Sequence, residues 1–142
     1  MLIMLNVIKK ILFVSFLLFS FQVADAQIKK YTATSYSYKT YNYTYKVWSG
    51  WSEWIKCNVK VYVNFDTDVI TIYSSKTQVY RVISSSDAYI DESNGVQVKF
   101  FVIDQDGDKG TLRIRVQDDG SYQLYIDFAD IMWVYNITPL PS

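Results

Sequence analysis

Four consecutive segments near the C-terminus alternate apolar and polar residues with a period of two. This pattern constrains the chain more than any other. The segments are Val96–Asp104, Gly110–Gln117, Tyr122–Phe128 and Ile131–Ile137. A period of two is that of a strand with one face buried. Asp- and Gly-rich connections as short as Asp118-Asp119-Gly120 and Ala129-Asp130 separate them, so they read as an antiparallel meander. Its core face is Val96, Val98, Phe100 and Val102, then Leu112, Ile114 and Val116, then Leu124, Ile126 and Phe128, then Ile131, Trp133, Tyr135 and Ile137.

That face needs a cover, and the upstream residues supply it. Ile55–Phe65 sets Val59, Val61, Val63 and Phe65 against Lys60, Tyr62 and Asn64. Asp66-Thr67-Asp68 turns the chain into Val69–Tyr73, with Ile70 and Ile72 as its core pair. In Thr77–Ile83 both faces are apolar enough to point inward. Ser84–Gly95 is polar and irregular, with room for a short strand at Ala88–Ile90 and a turn at Asn94-Gly95. The tyrosine-rich segment Gln27–Lys46 suits a strand with an aromatic face. Its tyrosine spacing changes phase between Tyr38 and Tyr41, which predicts a bulge there or two short strands, and its beginning is expected to be loose. Trp48, Trp51 and Trp54 follow within seven residues, and Trp51 and Trp54 are expected as core or barrel-mouth anchors positioned by a turn at Gly50.

No segment has a helix period. About eight strands with short sequential connections predict an all-β antiparallel meander closed into an up-and-down barrel of lipocalin/streptavidin-like architecture, since closure removes vulnerable edges. A two-sheet sandwich is the alternative. The expected organisation is a signal peptide over residues 1–26, a tyrosine-rich N-terminal segment over 27–46 that joins the domain, a barrel over 47–138 and a tail over 139–142.

The signal peptide rests on Lys9 and Lys10, the apolar run Ile11–Phe21 and the small-x-small site Ala24-Asp25-Ala26. The run is shorter than the roughly 20 residues of a spanning helix. These features predict export, to the periplasm or beyond. Without residues 1–26 the chain carries one more acidic than basic residue. No Lys/Arg run gives it the footprint of a nucleic-acid site.

The chain has no histidine and one cysteine, Cys57. Ser-His and Cys-His nucleophiles, His-ligated zinc and an intrachain disulfide are thereby excluded. An enzyme is not expected. Cys57 reads as a small packed side chain, with an intermolecular disulfide as the alternative.

Three groups of residues suggest chemistry. Asp104, Asp106 and Asp108 surround Gly107 and offer oxygens to a hard cation such as calcium. The stretch is similar to the start of an EF-hand loop. It differs in placing the glycine between the second and third Asp, in having no closing Glu and in being flanked by strands, and a solvated hairpin turn is the better reading. Asp127 stands mid-strand opposite Arg113 and Arg115, which predicts a cross-strand ion pair. The aromatic residues Trp51, Trp54, Tyr125, Trp133 and Tyr135 are the candidate ligand contacts, since aromatics build apolar pockets and stacking platforms.

The segments Trp51-Ser52-Glu53-Trp54, Asn64-Phe65-Asp66, Ile72-Tyr73-Ser74, Gln123-Leu124-Tyr125-Ile126-Asp127-Phe128 and Met132-Trp133-Val134-Tyr135-Asn136-Ile137 together resemble a group of small exported all-β proteins of Bacteroidetes-type bacteria. The resemblance implies export and a compact β fold, and it carries over no activity and no site residue. Gly50 is followed at once by Trp51, which departs from the Gly-x-Trp signature of lipocalins. The expected function is an exported non-enzymatic binding domain for a small apolar or aromatic-stacking ligand. A protein-interaction or inhibitor-like module is the second expectation, and a calcium-dependent surface module the third.

Overall fold

The computed structural model describes residues 28–141. They form ten strands: β1 (Ile28–Asn42), β2 (Val47–Trp48), β3 (Ile55–Asn64), β4 (Val69–Tyr73), β5 (Gln78–Ser85), β6 (Tyr89–Ile90), β7 (Val96–Ile103), β8 (Lys109–Val116), β9 (Tyr122–Asp127) and β10 (Ile131–Pro139). Eight of them close into an antiparallel barrel in the order β1-β3-β4-β5-β7-β8-β9-β10, and β10 pairs back onto β1. The two short strands lie off the ring, β2 on β1 and β6 on β7. No helix long and apolar enough to cross a membrane is present among the described residues. The expected signal peptide lies outside them.

The barrel closes because each strand presents an apolar face at every second residue. Phe100, Leu112, Leu124, Ile126, Ile70 and Ile72 are fully buried. Each contributes about 1.5–3 kcal/mol relative to leaving its side chain in water. Phe65 reaches in from the β3–β4 turn to Phe100, with ring centroids 6.3 Å apart. The β7–β10 meander faces inward as its alternation requires. The ambiguity of β5 resolves toward Tyr80, which is buried, and Val82, which packs on the core. The charge of Arg81 keeps the other face in water. A bulge between Val82 and Ser84 leaves Ile83 exposed.

The tyrosine-rich segment forms part of the barrel wall. Ile28–Asn42 is its longest strand, paired with β3 on one side and β10 on the other from its first residues. The bulge also falls elsewhere than the tyrosine spacing suggests, between Ala33 and Ser35 rather than between Tyr38 and Tyr41. The extra residue, Thr34, reverses the alternation, so Tyr31 and Tyr36 both join the core. Tyrosine is tolerated on either face of a strand, which is why its spacing misplaced the bulge. Pro139 belongs to β10 rather than to a tail, and the amide of Leu140 still bonds to Lys30 O at 2.9 Å.

Up-and-down order places the connections 43–54, 74–77, 104–108 and 128–130 at one end of the barrel. The connections 65–68, 86–95 and 117–121 lie at the other end, beside both termini. Gly107 and Gly120 take the positive φ that their tight turns need, 84° and 89°. Gly50 is not in that region and does not set a turn in the expected way.

Candidate functional site

At the end formed by 74–77, 104–108 and 128–130 the barrel interior opens into a cavity of about 570 Å³. This lies within the range of small-molecule pockets. Tyr36 of β1, Cys57 and Val59 of β3, Tyr80 of β5, and Trp133 and Tyr135 of β10 line it. The β4–β5 turn and its continuation, Ser74 to Val79, form one lip, and Asp104, Gln105 and Asp106 form another.

A short polar chain joins this lip to the wall. Tyr80 donates its phenolic proton to Gln78 Oε1 at 2.5 Å. Gln78 Nε2 donates to Ser74 Oγ at 3.0 Å and to the Tyr135 phenol oxygen at 3.4 Å. Burial pushes the Tyr80 pKa up, and Tyr135 and Asp104 add to the shift. Burial also raises Tyr135, against a smaller opposing effect of the Gln78 hydrogen bond. Both phenols therefore stay protonated far above neutral pH. Cys57 lies in the same wall with Sγ 3.5 Å from Ala33 O. Burial raises its thiol pKa, which disfavours the nucleophilic thiolate. Neutral hydroxyls, aromatic faces and an unactivated thiol are suited to holding a molecule.

The five aromatic residues singled out in the sequence do not form one site. Trp133 and Tyr135 line the cavity. Trp51 and Tyr125 lie on the outside of the barrel, in edge contact with ring centroids 6.2 Å apart. Trp51 is 43% exposed and Trp54 51%, so neither is a core residue. The reason is a strap formed by residues 49–54. The Ser49 amide bonds to Thr40 O and the Ser52 amide to Tyr38 O, both at 2.8 Å. Ser37 Oγ donates to Ser52 O at 2.7 Å and is buried beneath it. The strap carries Trp51 across the outer face, where Lys39 Nζ lies 4.9 Å from its ring centroid.

The same outer face carries a polar network. Arg113 Nε bonds Asp127 Oδ2 at 2.5 Å, and its guanidinium lies 4.2 Å from the Tyr125 ring centroid. Arg115 does not join that pair. It bonds Asp91, with Nε 2.6 Å from Oδ2, and reaches Gln123 Oε1 at 3.3 Å. Gln97 Nε2 also donates to Asp91, at 2.7 Å. Burial alone would push the Asp91 pKa up. The hydrogen bonds from Arg115, Gln97 and Gly95, with the Arg115 charge, outweigh burial and hold the carboxyl well below the usual range. This network ties strands together, and Arg115 also borders an open surface depression with Ser93, Gln117, Asp118 and Asp119.

The ligating oxygens of Asp104, Asp106 and Asp108 come within 4.8 Å of one another. Asp104 Oδ1 accepts the amides of Asp106 at 2.9 Å and Asp108 at 2.8 Å. Asp104 therefore shapes the turn, and Asp106 and Asp108 are exposed. One oxygen from each of the three comes to a common point, which is part of the six to eight that calcium takes.

Tyr36, Gln78, Tyr80 and Cys57 were not among the candidates read from sequence. Tyr36 was hidden by the misplaced bulge and Tyr80 by the ambiguous face of β5. Comparison with known proteins adds no assignment to this geometry: the chain matches no protein-family model, no curated protein and no solved structure.

Proposed function

We propose that the protein is an exported binding domain that takes a small apolar or aromatic molecule into the open end of its barrel. The observation that carries this reading is the cavity of about 570 Å³ walled by Tyr36, Tyr80, Trp133 and Tyr135. Of the residues picked from sequence, Trp133 and Tyr135 are the proposed ligand contacts. Rings at a concave site give apolar contact and stacking surface, and the Gln78–Tyr135 pair gives a polar end to orient the guest. Trp133 is the one tryptophan in the cavity wall, which makes it a natural reporter. In a variant with Trp48, Trp51 and Trp54 replaced by Phe, small aromatic and lipid-like molecules that bind should change Trp133 emission in a saturable way. A flat response across neutral, cationic and anionic probes at millimolar concentration would overturn the reading.

A second reading is favoured by the β1–β2 hairpin, which projects past the barrel rim. Tyr43 is 65% exposed and Tyr45 76%, and Val47 is exposed beside them. Such a patch on one projecting element suits contact with another protein. Replacing Tyr43 and Tyr45 by Ser should abolish that contact and leave cavity binding unchanged, as read by Trp133 emission.

A further inference from the structure

We propose that the cavity selects a cationic guest, a protonated amine or quaternary ammonium on a small apolar or aromatic body. This rests on the cavity being the binding site and names the charge of what it binds.

The argument is the charge of the lining. The polar chain is committed to itself: Tyr80 spends its proton on Gln78 Oε1, and both amide hydrogens of Gln78 are directed at Ser74 Oγ and the Tyr135 oxygen. The donors left for a guest in the aromatic wall are neutral groups, the phenols of Tyr36 and Tyr135 and the indole of Trp133. The acceptors include full charges. The phenol oxygens keep unused lone pairs, and the carboxylates of Asp104 and Asp106 border the same cavity. The Asp104 charge reaches the wall, since it helps raise the Tyr80 pKa. Lys76 is the one cation among the lining residues, and it sits on an exposed turn at the rim.

The walls favour the same sign. Aromatic faces carry negative potential and attract ammonium groups, most strongly when these are desolvated. Tyr36 and Tyr135 stand 5.9 Å apart with their planes tilted by 48°, so together they present two such surfaces at an angle. An anion placed there would meet ring faces and two carboxylates, with neutral donors and the rim Lys76 to offset them. The acidic lip is also fixed in place, because two amides hold Asp104 Oδ1.

The test compares three probes with one aromatic body: phenethylammonium, phenethyl alcohol and phenylacetate. Binding is read by Trp133 emission in the variant lacking the other three tryptophans and by calorimetry of the unmodified protein, in buffer containing a chelator. The ammonium probe is expected to bind at least tenfold more tightly than the alcohol, and phenylacetate most weakly. The double substitution Asp104→Asn and Asp106→Asn should remove most of that preference and leave the alcohol's affinity within twofold. Lys76→Gln should strengthen ammonium binding. If the double variant does not fold, salt serves instead: going from about 20 to 300 mM should weaken the ammonium probe severalfold and leave the alcohol unchanged. Equal affinity of alcohol and ammonium, or tighter binding of phenylacetate, would overturn the charge preference while leaving the cavity as a binding site. Binding by none of the three would overturn both.

Discussion

Tyr36 of β1 and Tyr135 of β10 are register partners across the seam that closes the barrel, and both side chains line its cavity. Tyr135 thus has two separable roles, as a buried ring and as a hydrogen-bond acceptor. Tyr135→Phe keeps the ring and should cost about 0.5–1.5 kcal/mol. Tyr135→Ala empties the wall and should cost about 3–5 kcal/mol. Urea unfolding of both variants checks the order. A Phe variant as unstable as the Ala variant would show that the hydroxyl, and not the packing, dominates.

The Asp91–Arg115 pair sets an acid limit. The folded-state pKa of Asp91 is depressed, so protonation favours the unfolded chain. Its contribution is full above the ordinary carboxylate value near 4 and is lost as the pH falls below it. Stability of the natural protein should therefore drop between about pH 5 and 2. Asp91→Asn should be less stable at pH 7, by about 2–3 kcal/mol, and fall less steeply with acid. Gly95→Ala should resemble it, because a Cβ there would lie 2.6 Å from Arg115 Nε and displace the guanidinium. Urea midpoints across this pH range decide, and equal slopes for Asp91→Asn and the natural protein would refute the assignment.

An alkaline limit is expected from Tyr31. Burial, with a smaller effect of Tyr122, pushes its pKa up to about 12 from an ordinary value of 10.0. Between these two pH values the unfolded chain loses the phenolic proton and the folded chain keeps it. Stability therefore falls as pH rises through that window. Absorbance titration of the phenolates should show a late-titrating group, and Tyr31→Phe should remove part of the alkaline loss. A natural protein whose tyrosines all titrate near 10 while folded would contradict this.

Cys57 gives a chemical readout of cavity occupancy. Its thiol is half-buried in the cavity wall and its pKa is raised by burial. A soluble alkylating reagent at pH 8 should label it at least tenfold more slowly than a thiol in an unfolded peptide. A saturating guest should slow labelling further. Labelling that is fast, and indifferent to a probe that alters Trp133 emission, would place the guest elsewhere.

The meander from Val96 to Ile137 was legible because its alternation is strict and its outward residues are charged or amide side chains such as Arg113, Arg115 and Gln123. A slip by one residue would bury those charges. Val69–Tyr73 was readable to the residue, with polar turns on both sides. Legibility failed where both faces tolerate the same residue. Tyrosines in β1 and the Tyr80/Arg81 alternation in β5 gave no local reason to prefer one phase. Trp51 and Trp54 misled because a large aromatic residue favours burial, but three serine and backbone bonds hold the strap outside. The Arg115–Asp91 pair spans 24 residues of sequence, and only the folded β6–β7 connection brings them together. Half of the candidate ligand contacts thus lay within reach of the sequence, and the other half awaited the phase of β1 and β5.

The bulge at Thr34 acts as a frame shift within β1. Before it the odd-numbered Tyr31 and Ala33 face the interior, and after it the even-numbered Tyr36 does. The same sequence paired straight through Thr34 would put Ser35 and Ser37 inside and turn Tyr36 to solvent. The walls of the cavity would change from aromatic to hydroxylic with no substitution in any lining residue. The pairing register of one strand, as much as its side chains, decides what this barrel can hold.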